Sequence, residues 1–184
     1  AGTVLAEGLR VQWLVDALLL LARADEHTLQ LRRRPVDLDD LALEAARRLR
    51  ETTDLAIDAT GISAGRVTGD AAALGQVVRN LTDNAAQHAH GCVRIGVSTR
   101  DASVEITVDD DGPGIPEADR DRVFDRFVRL DEARTRDDGG AGLGLAIVAE
   151  LVRAHDGTVT LTTGDLGGLR ASVTFPARDD DVAG

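Results

Sequence analysis

Two stretches of this chain carry residue types suited to holding an anionic ligand: DDDGPGI at 109–115 and GGAGLGLAI at 139–147. Glycine takes positive φ and lets a ligand approach the main chain, at an entropic cost that ordinary loops have no reason to bear. In the second stretch Gly139, Gly140, Gly142 and Gly144 free the backbone to wrap a phosphate. The N–H groups at the start of the following helix would face it with the positive end of the helix dipole. In the first stretch a strand ending in carboxylates turns through Gly112-Pro113-Gly114. It can present one Asp as acceptor for an exocyclic amine, with room for a flat ring against the backbone. Taken alone, the same residues would also suit a surface turn.

A third group lies on the stretch 70–89, which reads as a helix. At about 100° per residue, Leu74, Val77, Val78, Leu81 and Ala85 share one arc. Asn80, Asn84 and Gln87 share another, with Asp83 at its edge and His88 near the border. Asparagine is a poor helix-interior residue because its amide competes for backbone hydrogen bonds. Two of them one turn apart on one face therefore suggest a task, and amide oxygens suit a hard cation such as Mg²⁺. By itself this arc would equally fit a solvated polar face.

The elements that must position these groups follow from periodicity. Residues 4–26 read as a helix with Val11, Leu14, Leu18 and Leu21 at spacings of three and four, widened by Leu5, Val15 and Leu19. So broad a face wants a partner helix. Pro35 stops any continuation, and Val36 and Leu38 suggest a short strand, so a domain boundary is placed near residue 33. A helix follows at 38–50, then strands at 54–58 and 66–68, the helix at 70–89, and alternating strands at 93–99 and 103–110. A helix at 117–129, an acidic loop at 130–142, a helix at 143–155 and strands at 158–163 and 170–176 complete the reading. Paired strands with intervening helices predict an α+β fold: a two-layer α/β sandwich with a mixed, largely antiparallel sheet. Residues 1–33 form a separate helical arm and linker, 34–178 the core domain, and 179–184 a disordered acidic tail.

Composition narrows the chemistry. The 184 residues are 43% hydrophobic but only 2% aromatic, so the core is aliphatic. There is no Lys, which excludes a P-loop, the protein-kinase strand lysine and a Schiff base. A net charge of −11 argues against nucleic acid. Cys92 is the only cysteine, which rules out an internal disulfide. The longest apolar run, at 14–22, is broken by Asp16 and falls short of the roughly 18 residues of a membrane span. The chain reads as a soluble fragment with no signal peptide.

In this order the motifs resemble the catalytic and ATP-binding domain of bacterial sensor histidine kinases, in the GHKL superfamily that also holds gyrase, the Hsp90 chaperones and the MutL repair proteins. NLTDNAAQHA (80–89) resembles the N box, VDDDGPGI (108–115) the first glycine box, FDRF (124–127) the F box and GGAGLGLAI (139–147) the second glycine box. The resemblance spans roughly residues 35–176 and implies the Bergerat ATP-binding fold, with ATP and Mg²⁺ as cofactors.

It implies that Asn84 ligates Mg²⁺, that Asn80 helps hold the phosphates and that Asp110 accepts from the adenine amine. Gly112 and Gly114, with Ile115, would flank the ring. Gly140, Gly142 and Gly144, with Leu143 and Leu145, would close over the phosphates. Phe124 and Phe127 would seat a mobile lid at about 128–141, and Arg129 would reach phosphate. Gln87 stands where Lys is common and His88 where an aromatic or His is common, the latter packing on nucleotide. HDG at 155–157 replaces the commoner His-Gly-Gly, and Arg170 stands where small residues are usual.

The resemblance further implies that RVQWLVDALLLLARAD (10–25) is the second helix of a dimerising hairpin whose first helix, with the phosphoacceptor His, is absent from this chain. The expected activity is transfer of the γ-phosphoryl of ATP to that histidine, for relay to a response-regulator aspartate. The full protein would be a homodimer anchored in the membrane with this domain in the cytoplasm. Alternatives are a GHKL ATPase, an anti-sigma serine kinase, or an ATP-binding regulatory module without kinase activity. Asn80 in place of a Glu argues against the first, and the hairpin-like helix against the second.

Overall fold

The computed structural model describes residues 2–26, 29–128 and 142–177. His27, Arg129, Gly139, Gly140, nearly all of the expected lid and the tail at 179–184 lie outside the described residues. Among the described residues four α-helices and seven strands follow in the order α1 (Gly2–Asp25), β1 (Arg34–Asp37), α2 (Leu38–Thr52), β2 (Ala56–Ile62), β3 (Arg66–Gly69), α3 (Ala71–His88), β4 (Cys92–Arg100), β5 (Ser103–Asp110), α4 (Gly144–Ala154), β6 (Thr158–Thr163) and β7 (Leu169–Pro176). Among the described residues no helix is long and apolar enough to cross a membrane.

The main sheet has the order β2-β4-β5-β7-β6; β2 runs parallel to β4 and every other pairing is antiparallel. Strict alternation sends Val93, Ile95 and Val97 of β4 and Val104, Ile106 and Val108 of β5 to one face, where they are buried. Helices α2, α3 and α4 cover that face with Leu49, Leu74, Val78, Leu81, Ile147 and Leu151. The result is the expected two-layer α+β sandwich. Strands β1 and β3 do not join the main sheet but pair with each other, antiparallel.

Three expectations are corrected. Leu38 opens α2, fully buried, as the helix read at 38–50 requires, but the strand expected at 54–58 runs instead over Ala56–Ile62. The helix expected at 117–129 is instead two single 3₁₀ turns, Glu117–Asp119 and Arg122–Phe124. Charged residues crowd this stretch and only Val123 is buried in the two turns, so no apolar stripe holds a continuous helix. On α1 the predicted stripe divides. Leu21 is buried with Ala17, in a helix that packs against α4, while Val11, Val15, Leu18 and Leu19 stay exposed.

His155, just past α4, is 3% exposed and bonded at both ring nitrogens. Its Nδ1 lies 2.7 Å from the Leu151 carbonyl, which can only accept, and its Nε2 takes the Asp70 N–H at 3.0 Å. These partners assign a neutral ring with the proton on Nδ1. Burial pushes its pKa below the ordinary 6.5. The unfolded chain therefore takes up this proton first, and stability from His155 is complete above pH 6.5 and lost as pH falls toward the folded value. The unfolding temperature should drop as pH falls below 6.5, and His155→Gln should flatten that slope. An unchanged slope would contradict the neutral assignment.

Candidate functional site

The site forms where α3, the end of β5 and the start of α4 meet. Asp70 caps α3, its Oδ1 accepting from the N–H groups of Ala72 and Ala73 at 3.0 and 3.2 Å. Leu74, Val77, Val78, Leu81 and Ala85 bury one arc of the helix, which turns Asn80, Asn84 and His88 away from the core. Asn80 and Asn84 are half-buried, and Gln87 and His88 are exposed.

Two contacts locate the polar arc. At one end the Asn80 Nδ2 donates to the Gly144 carbonyl at 3.2 Å, tying α3 to the first residue of α4. At the other, a Cβ on Gly112 would lie 2.3 Å from the His88 carbonyl, so the last turn of α3 abuts the turn after β5. Asn84 lies between them, one turn from each of Asn80 and His88. Its amide makes no hydrogen bond among the described residues, whereas Asp83 is committed to an ion pair with Arg48 at 2.5 Å. No cluster of three or more His, Cys, Asp or Glu able to hold a metal occurs among the described residues; an amide oxygen without a partner there has the chemistry of a hard-cation ligand when phosphate and water complete the set.

The structure separates the three aspartates. Asp109 points to the sheet face away from the helices and is 1% exposed. Arg170, directly opposite on β7, grips it with Nε and Nη2 at 2.6 and 2.8 Å. Arg170 also reaches Asp165 at 2.8 Å. Asp111 accepts from the N–H groups of His90 and Gly91 at 2.8 and 3.0 Å and fixes the α3–β4 turn. Its carboxyl is held below the ordinary range, first by the Gly91 N–H.

Asp110 alone faces the site. It is 2% exposed, and its Oδ1 accepts from Gly112 N at 2.8 Å and Leu169 N at 3.3 Å. Its Oδ2 accepts nothing among the described residues. Burial raises its carboxyl above the usual range, opposed by those two N–H groups and by nearby His88.

Gly168, in the β6–β7 turn, was not among the residues expected from sequence. A Cβ there would lie 2.4 Å from Asp110 Oδ1 and 2.6 Å from Gly112 N, so only glycine lets β7 clamp this carboxylate. The signal was a Gly-Gly pair opening a strand, which reads as a plain turn until the strand is placed beside β5.

The remaining residues fall around this centre. Gly114 has φ +70° and lies against Gly168, and Ile115 is half-buried. Leu143 is fully buried, anchoring the entry to α4, whose first N–H groups receive no hydrogen bond from the Leu143 side chain, an aliphatic N-cap. Leu145 is half-buried. A Cβ on Gly144 would meet nothing within 4 Å among the described residues.

The phenylalanines differ. Phe124 is half-buried, but the Phe127 ring is 61% exposed. Phe127 seats its segment through the backbone: at φ +65° its N–H donates to the Gly142 carbonyl at 3.0 Å. Gly142 is itself at φ +69°, so the two sides of the segment 128–141 are pinned together.

The family model described as "Histidine kinase-, DNA gyrase B-, and HSP90-like ATPase" matches residues 69–179. The "Probable sensor histidine kinase TcrY" of Mycobacterium tuberculosis is 42% identical over 165 residues, covering 87% of this chain and 34% of that protein. "Sensor histidine kinase CpxA" of Escherichia coli is 42% identical over 108 residues, covering 59% of this chain and 24% of that protein. The chain thus spans about a third or less of these relatives.

Among solved structures, the ATP-binding domain of PrrB from Mycobacterium tuberculosis superposes with a TM-score of 0.68 at 32% identity, covering 80% of this chain and 98% of that one. Full-length ShkA in complex with AMPPNP gives a TM-score of 0.77 at 30% identity, covering 95% of this chain and 38% of that one. The last turn of α3, the turn after β5 and the β6–β7 turn gather around one buried carboxylate, and a family match through all of them carries one conclusion: this chain belongs to the histidine kinase-, DNA gyrase B- and HSP90-like ATPase family, as an ATP-binding domain.

Proposed function

We infer that this domain binds ATP with Mg²⁺ and presents the γ-phosphoryl to a histidine on a helix outside this chain, as the catalytic domain of a sensor histidine kinase. The observation that carries the reading is the Asp110 carboxylate, clamped at Oδ1 by two backbone N–H groups and open at Oδ2 beside the polar arc of α3. Oδ2 accepts from the adenine amine, Gly112, Gly114 and Ile115 flank the ring, and His88 packs on the nucleotide. The Asn84 amide oxygen helps hold the cation, which supplies charge neutralisation between the phosphates. Asn80 positions the Gly144 carbonyl, so that the N–H groups entering α4, from Gly142, Leu143, Gly144 and Leu145, face phosphate. Gly140, Gln87 and Arg129 complete the phosphate contacts, and Phe124 and Phe127 support the segment between them.

Such transfer depends on positioning and on charge stabilisation at the phosphoryl oxygens. The bond from the γ-phosphorus to the bridging oxygen breaks, a bond to an imidazole nitrogen forms, ADP leaves and the ring gives up a proton. The names of TcrY and CpxA support this reading over an ATPase. In it, residues 1–33 contribute the second hairpin helix and linker, 34–178 the catalytic domain and 179–184 a tail. The whole protein is a membrane-anchored homodimer with this domain in the cytoplasm, and a response regulator receives the phosphoryl group.

Titration with a non-hydrolysable ATP analogue, with and without Mg²⁺, tests the site. Mg²⁺ should tighten binding to the wild type by at least about tenfold and to Asn84→Ala hardly at all, the difference a charge-assisted contact commands. Equal tightening in both proteins contradicts the role of Asn84. Labelled ATP added with a hairpin carrying the acceptor histidine separates a kinase, which transfers label, from a binding module, which does not.

A further inference from the structure

Helix α4 ends in a Schellman motif, with Gly157 N–H donating to the Val152 carbonyl at 2.9 Å and Asp156 N–H to the Arg153 carbonyl at 3.0 Å. The residue after the C-cap of such a motif takes a left-handed conformation and is usually Gly. Here it is Asp156, at φ +60°. The choice is doubly unfavourable in local terms: a side chain with Cβ occupies a left-handed position, and a carboxylate stands at the negative end of the helix dipole.

A tertiary partner offsets both. Arg33, in the segment joining α1 to β1, places Nη1 2.7 Å from Asp156 Oδ2 and Nη2 2.7 Å from the Ala154 carbonyl. One guanidinium thus neutralises the carboxylate and satisfies a carbonyl at the end of the helix. The next residue back is held too: Arg32 N–H donates to Asp70 Oδ2 at 2.9 Å, and the Asp70 N–H bonds His155. Nearby, Leu29, Leu31 and Ala24 line a groove against Arg153 and Ala154 of α4. From the other side Arg126 Nη2 donates to the Leu21 carbonyl of α1 at 3.4 Å.

The geometry points to Asp156 as a positioning residue: with Arg33 it latches the segment 29–33 onto the C-terminal end of α4. Because the N-terminal end of α4 is tied to Asn80, a single rigid helix then links the phosphate-facing loop to the base of α1. The latch stands on the contacts alone; its consequence, a fixed relation between nucleotide and hairpin helix, rests on the function proposed above.

The test compares wild type, Asp156→Gly and Asp156→Asn in the whole chain. Each protein is followed by thermal unfolding and by the rate of tryptic cleavage after Arg32 and Arg33, normalised to cleavage within the sheet domain. Glycine relieves the local costs, so Asp156→Gly should unfold at the wild-type temperature or higher, yet its linker should be cut about two- to fivefold faster, the range of a solvent-exposed ion pair. Asp156→Asn, which tolerates the same φ without the charge, should show the same faster cleavage. A purely local cap would give the opposite: normalised linker cleavage at the wild-type rate in both variants, whatever their unfolding temperature, overturns the latch. Affinity for an ATP analogue, measured in parallel, should be equal in all three. A wild type that binds none would sink the ATP-site reading and leave the latch standing.

Discussion

Asp110→Asn should weaken binding of an ATP analogue by about ten- to a hundredfold while leaving the fold intact, the range expected when a charged acceptor is removed from a buried site. In the wild type Oδ1 is committed to Gly112 N and Leu169 N, and Oδ2 is the acceptor left for an amine. An asparagine carbonyl would keep the two backbone bonds and turn its NH₂ toward the ligand, so that two donors meet where donor met acceptor. Burial already disfavours the charged form of Asp110, so the neutral amide should cost the fold nothing. Titration and thermal unfolding read the two halves separately. Equal affinity in mutant and wild type would remove Asp110 from the adenine site.

Arg170→Ala should act in the reverse sense, on stability first. Asp109 is 1% exposed, and its two oxygens take the Nε and Nη2 of Arg170 at 2.6 and 2.8 Å. Removing the guanidinium strands a buried carboxylate, which typically costs 3–5 kcal/mol; because Arg170 is itself 29% exposed, the lower end, about 3 kcal/mol, applies. For a chain of this size that lowers the unfolding temperature by roughly 6–12 °C. The double variant Asp109→Asn with Arg170→Ala removes the stranded charge and should recover part of the loss, which a double-mutant cycle measures. A single variant as stable as the wild type would show that water, not Arg170, satisfies Asp109.

These two residues show where sequence reading stops. By residue type alone DDD is a run of equivalent acids, from which only the family resemblance picks Asp110, and Arg170 is only an unexpected residue on a strand. The register that sets Asp109 against Arg170, 61 positions away, turns them into one buried pair. Similarly, a non-glycine at 156 looks like drift from a motif until Arg33, 123 positions distant, is found on its carboxylate. The stretch at 117–129, read as a helix, breaks into two 3₁₀ turns because no apolar stripe exists to fasten it.

By itself the sequence determined the order of the four α-helices and seven strands among the described residues, the aliphatic core, the polar arc of α3 and the glycine turn after β5, because each of these is written in the period of neighbouring residues or in local backbone freedom. Only the tertiary structure decided which aspartate is paired away, why Gly168 cannot carry a Cβ, and how Asp156 is tolerated. Those outcomes depend on strand register and on close approach between distant segments, which no local period encodes.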